Sequence, residues 1–214
     1  MKDNFCDVTI VLDRSGSMAS VQADTIGGFN TFIKEQRKLP GQCNVSLVQF
    51  DDQYEPQYAG KPVNDAPLLT AETFVPRGMT ALLDGIGRTI NETGKRLDAM
   101  PEADRPNKVL FVILTDGGEN SSKEYTRAKV FEMIGHQKKA YQWDFVFLGA
   151  NQDAIQVGAS LNIGAGSTMT YASNAVGTKA AFASASAYVG QTRTAGSASF
   201  TAEDRKKQAD AGAK

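Results

Sequence analysis

Apolar residues along the 214-residue chain follow two alternating rhythms. Short β-branched or continuously apolar runs at 7–13, 44–50, 108–115 and 144–148 predict strands. Between them, 21–38 carries Ile26, Phe29 and Ile33 at helical spacing, and 80–100 carries Leu82, Leu83, Ile86, Ile90 and Leu97. Both segments predict helices, closed by Pro40-Gly41 and by Pro101, and 123–141 predicts a third. Residues 54–63 are polar and contain Pro56, Gly60 and Pro62, which suits an edge strand reached through a turn at Asp51-Asp52. Further on, 152–160 predicts a short helix, 167–171 a last strand, and 178–190 a docked helix carrying Ala181, Phe182, Ala185, Tyr188 and Val189. The unbroken apolar centre of 108–115 calls for burial on both faces, as in a parallel sheet covered by helices. The β-α-β alternation therefore predicts an α/β fold with a doubly wound, mainly parallel sheet and helices on both faces. Ligands of such sheets bind beyond the carboxyl ends of the strands.

Composition changes this picture at one end. After Tyr171 the chain turns to Ala, Ser, Gly and Thr, and beyond Gln191 Phe200 is its one large apolar residue. A domain over 1–190 is expected, followed by a charged, Ala/Ser/Gly-rich and partly disordered tail over 191–214. Within that tail Thr201-Ala202-Glu203-Asp204 can cap a short exposed helix, and 209–214 is expected to be disordered. Charge is nearly balanced, with 23 basic and 24 acidic residues, so bulk electrostatics favour neither nucleic acid nor an anionic membrane. No run approaches the roughly 18 apolar residues of a membrane span. The start, Met1-Lys2-Asp3-Asn4-Phe5, lacks the apolar stretch of a signal peptide, so a soluble cytoplasmic protein with reduced cysteines is expected. Cys6 and Cys43 each lie seven residues ahead of a strand end, at Asp13 and Phe50. Parallel neighbouring strands would bring the two thiols together at the lower edge of the sheet. Either a disulfide or two small buried thiols fits that spacing, and a reducing compartment favours the thiols.

The chemistry-bearing residues sit at predicted strand ends. Asp13-Arg14-Ser15-Gly16-Ser17-Met18 places one carboxylate and two hydroxyls where the first strand breaks into a turn. These hard oxygen donors suit Mg²⁺, Mn²⁺ or Ca²⁺ rather than a thiolate-seeking metal. One charge holds a divalent cation poorly, so further ligands must come from elsewhere. Asp116 follows the strand ending Ile113-Leu114-Thr115 and precedes Gly117-Gly118-Glu119-Asn120. In Pro76-Arg77-Gly78-Met79-Thr80 a turn feeds a helix that starts near Thr80.

Asp-x-Ser-x-Ser after the first strand, Gly-x-Thr before a mid-chain helix and Thr-Asp-Gly after a central strand resemble the von Willebrand factor A (vWA) domain. In that family these segments form the metal-ion-dependent adhesion site, and the likeness, over 4–190, is to a single-domain member of bacterial or phage type. It implies a Rossmann-like sheet ordered 3-2-1-4-5-6 with the 54–63 strand antiparallel at one edge. It also implies that Ser15, Ser17 and Thr80 offer hydroxyls to Mg²⁺ or Mn²⁺, while Asp13 and Asp116 act mainly through bound waters. A protein partner would complete the coordination with its own Asp or Glu. Neutral hydroxyls leave the cation electrophilic, which favours an incoming carboxylate. Arg14, Met18, Arg77, Glu119 and Asn120 are expected to ring the site, either as setters of partner specificity or as solvated loop residues, and Asp84 to be a structural hydrogen-bonder rather than a sixth ligand.

Catalytic signatures are scarce. The single histidine, His136, lies in a predicted helix far in sequence from these segments, and neither a Gly-x-Ser-x-Gly elbow nor a Walker loop occurs. The leading expectation is a non-enzymatic, metal-dependent protein-binding module, such as an adaptor. A second is a Mg²⁺-dependent phosphohydrolase with Asp13 as nucleophile, although the Asp-x-Asp pattern of haloacid-dehalogenase-like enzymes would need an acid where Ser15 stands. A third is a structural or self-assembling particle component with a passive metal site. Partner identity and oligomeric state are open.

Overall fold

The computed structural model describes residues 1–150 and 152–213. Strand β4 (Pro106–Thr115) shows how the apolar runs build the core. Leu110, Val112 and Leu114 enter one hydrophobic cluster together with Phe29, Phe32 and Ile33 of helix α1 (Gln22–Lys38) and Phe182 of helix α5 (Ala175–Ala195). The alternate residues Phe111 and Ile113 enter the opposite cluster with Ile86 and Ile90 of α2 (Leu82–Asp98) and Val130 and Ile134 of α3 (Arg127–Tyr141). A strand apolar at every position thus feeds two cores, one on each face of the sheet.

The other strands are β1 (Lys2–Asp13), β2 (Gln42–Phe50), β3 (Tyr54–Pro62), β5 (Asp144–Ala150) and β6 (Thr168–Tyr171). They form one sheet ordered β3-β2-β1-β4-β5-β6, as expected. Every pairing is parallel except β2 with β3. Pro56 and Pro62 are tolerated because β3 is an edge strand. In the β1–β2 register Cys6 faces Cys43, and both are buried free thiols. Burial pushes both thiols up, Cys43 to about 11, so neither ionises at neutral pH. No helix among the described residues is long and apolar enough to cross a membrane.

Three segments differ from the sequence expectation. Helix α3 starts at Arg127 rather than at 123, because the backbone N–H groups of Lys123, Glu124 and Tyr125 donate to the Asp84 carboxylate instead of entering a helix. Thr126 then caps α3 by accepting from Lys129 N–H. Helix α5 runs through the expected boundary at 190/191 to Ala195. Helix α6 (Ala202–Asp210) opens with a capping box formed by Thr201 and Asp204, and it is docked rather than free. Phe200 packs against Tyr188, with ring centroids 5.2 Å apart, and the buried Gln208 accepts from Ala172 N–H and donates to Gly177 O. Residues 209–213, expected to be disordered, close that helix, and the Asn174 amide donates to Ala211 O. The last residue of that expectation, 214, lies outside the described residues.

Candidate metal centre

Strands β1 and β4 are adjacent and parallel, so Asp13 and Asp116 emerge side by side at their carboxyl ends. Asp13 is fully buried. Its Oδ1 accepts from Ser15 N–H at 2.7 Å and its Oδ2 from the Thr115 hydroxyl at 2.5 Å. The first bond curls the chain back after β1, which brings the Ser15 and Ser17 hydroxyls to 3.1 Å from each other. Ser17 donates to Asp116 Oδ1 at 2.5 Å, tying the first motif to the third. Thr80 arrives on the segment leading into α2. Asn120 clamps it there, accepting from Thr80 N–H at 2.8 Å and donating to Thr80 O at 3.1 Å.

Gly117 marks the point of convergence. A methyl group there would stand 3.2 Å from the Thr80 hydroxyl and 3.7 Å from the Ser17 hydroxyl, so both hydroxyls face a bare stretch of backbone. All five predicted oxygen donors therefore meet at one place, and they comprise two carboxylates and three hydroxyls. Among the described residues no three His, Cys, Asp or Glu side chains are grouped to hold a metal ion. Any cation at this centre would depend on the hydroxyls, and the donor set suits a hard divalent ion.

Electrostatics match such an arrangement. Burial, reinforced by the charge of Asp116, pushes the Asp13 carboxyl up to about 6 despite its hydrogen bonds to Thr115 and Ser15. Burial also raises Asp116, against the hydrogen bonds from Ser17 and Ser173. Tyr171 has a buried hydroxyl without a hydrogen-bond partner among the described residues. Burial, then the charges of Asp116 and Asp13, hold its phenol protonated.

The expected ring of specificity residues is corrected at two of its five positions, Met18 and Arg14, which are buried, whereas Arg77 and Asn120 are exposed and Glu119 is half-buried. Met18 is fully buried in the core and cannot line a rim. Arg14 is 4% exposed and is locked against Asp51 at 3.2 Å and Glu55 at 2.5 Å. Arg77 binds the same two carboxylates, at 2.9 and 2.5 Å, but keeps 45% of its side chain in solvent. Glu119 accepts from Leu83 N–H at 2.9 Å and from Ser121 and Ser122, so it caps the start of α2, while Asn120 is engaged with Thr80. Asp84 accepts three backbone N–H bonds of 2.7 to 2.9 Å from residues 123–125, which is the structural role expected of it. Sequence reasoning missed Thr115 and Ser173 as supports of the two carboxylates. Thr115 lies in the quoted Thr-Asp-Gly motif and was within reach of such reading, whereas nothing local marks Ser173, which follows the far strand β6.

No family model and no curated protein sequence matches the chain. Solved structures do resemble it. Proximal thread matrix protein 1 from the mussel byssus matches with a TM-score of 0.57 at 15% identity, covering 85% of this chain and 45% of that one. The pilus adhesin SpaC from Lactobacillus rhamnosus GG matches with a TM-score of 0.63 at 16% identity, covering 87% and 30%. A von Willebrand factor type A structure from Catenulispora acidiphila matches with a TM-score of 0.53 at 16% identity, covering 86% and 42%. The chain thus spans less than half the length of these structures. At such identities the likeness shows the fold, and that fold is the vWA domain's.

Proposed function

We propose that this vWA-type domain is a metal-dependent protein-binding module, in which a divalent cation held by Asp13, Ser15, Ser17, Thr80 and Asp116 coordinates an Asp or Glu of a protein partner. The observation that carries this reading is the meeting of two buried, mutually repelling carboxylates with three hydroxyls at the carboxyl edge of the sheet. Ser15, Ser17 and Thr80 would ligate directly. Asp13, whose two oxygens already accept from Ser15 and Thr115, would act through water. Mg²⁺ or Mn²⁺ is the proposed ion. Bound there, it would supply a Lewis-acidic position, only partly neutralised, for an external carboxylate. The protein would work as an adaptor in the cytoplasm.

Binding is favoured over hydrolysis by the state of Asp13. A nucleophilic carboxylate needs a free oxygen aimed at substrate, and both of its oxygens are engaged inside a fully buried side chain. Isothermal titration with MnCl₂ tests the proposal. The wild type is expected to bind one equivalent, and Asp13→Ala and Ser15→Ala to lose at least tenfold in affinity (about 1.4 kcal/mol). Equal Mn²⁺ affinity in Asp13→Ala would remove the proposed site.

A further inference from the structure

Single exposed apolar residues are ordinary on protein surfaces, but a group of them around a functional centre is not. Seven large apolar side chains are exposed among the described residues: Met1, Val75, Met79, Phe131, Tyr141, Ile155 and Val176. Four of these stand on segments that meet the candidate metal centre. Met79, 52% exposed, immediately precedes Thr80, and Val75, 48% exposed, opens the same segment. That segment lies along the first motif, because Arg77 N–H donates to Arg14 O at 2.8 Å and Gly16 N–H to Gly78 O at 3.2 Å. On the other side, Ile155 lies in the first turn of α4 (Ala154–Ala159), just after Gln152, whose amide donates to Gly117 O at 3.2 Å. Val176 lies in the first turn of α5, three residues after Ser173, which hydrogen-bonds Asp116. By contrast, Met1 and Tyr141 share a cavity with Pro106, at the opposite edge of the sheet.

We infer that the metal centre sits inside an apolar collar, and that its partner is a protein loop whose Asp or Glu is flanked by large apolar side chains. This rests on the metal-bridge reading above and adds the chemistry of the partner. On the near side of the collar Arg14 and Arg77 are already matched by Asp51 and Glu55, and the exposed Asp52 beside Gly78 adds a further negative charge. Acidic flanks would therefore lose hydration without gaining a counter-ion, whereas apolar flanks remove Val75 and Met79 from water. A small free carboxylate would reach the centre but not the collar, which is why the fit is to a protein surface.

A display selection of disulfide-cyclised random peptides, captured on the protein in MnCl₂ and eluted with EDTA, tests the inference. The eluted peptides are expected to carry an Asp or Glu with a large apolar residue within two positions. The double variant V75S/M79S is expected to bind them about tenfold more weakly while its Mn²⁺ affinity stays unchanged. EDTA-eluted peptides without apolar enrichment beside the acid, or with equal affinity for the double variant, would overturn the collar and leave the metal bridge standing. If EDTA releases no acidic peptide at all, the metal bridge itself fails, and the collar with it.

Discussion

Asp13 stores a conflict that metal binding would relieve. Its carboxyl titrates near 6 in the folded protein, against 3.8 for an unperturbed aspartate, because burial and the neighbouring Asp116 disfavour the charge. The folded-state value lies above the unfolded one, so the native state takes up this proton first as pH falls. In the metal-free protein the charged form therefore destabilises the fold above about pH 6, by about 3 kcal/mol, and that penalty fades as pH drops toward 3.8. Asp13→Asn removes the charge and keeps the shape. In EDTA at pH 7.5 the variant is expected to be more stable than wild type by about 1–3 kcal/mol, a gap that closes toward pH 4.5 in urea titrations. With MnCl₂ the gap should narrow or reverse, since wild type gains more stability by linkage than the weaker-binding variant. A less stable variant in EDTA would mean that the hydrogen bonds from Ser15 and Thr115 outweigh desolvation.

Between elements, the same kind of side chain serves a different end. Asp84 lies one turn into α2 beyond Thr80, close enough in sequence to pass for a ligand, yet its oxygens accept the backbone N–H groups of residues 123–125. It thereby fastens α2 to the segment entering α3, as Glu119 fastens the Asp116 loop to the first turn of α2. Asp84→Ala would leave three backbone donors short of their acceptor. It is expected to cost about 2–4 kcal/mol in urea unfolding and to weaken Mn²⁺ binding only modestly. A loss of Mn²⁺ affinity as large as that of Ser15→Ala, with stability unchanged, would instead make Asp84 a ligand. The helices and strands themselves were legible because their hydrophobic periods are local. Their ends were less so. The start of α3 depends on Asp84, some 40 residues away, and the capping Thr126 is its one local signal in 123–126.

At the scale of the whole molecule, the C-terminal region closes the core. Composition alone marked 191–214 as a loose tail, since Phe200 is its one large apolar residue. That residue is nevertheless buried against Tyr188, and α6 returns over the end of β6 through Gln208. Phe200→Ala is expected to cost about 2–4 kcal/mol and to release α6, visible as faster amide exchange over 202–210. Equal exchange in both proteins would show that α6 holds its place without this anchor.

The strands, the helices and the positions of five oxygen donors could all be read from the chain, because apolar period and turn chemistry act over a few residues. Parallel strand order then carried Asp13 and Asp116 to one edge, and that too follows from the β-α-β alternation. Which side chains remain free to meet a partner could not be read in this way. Arg14 is taken up by Asp51 and Glu55, Glu119 by a backbone donor 36 residues away, and Met18 by the core. Val75 and Met79, unremarkable as sequence, are left in solvent by the crossing of their segment over the first motif. Availability is a property of neighbours brought together by folding, and long-range contacts alone decide it.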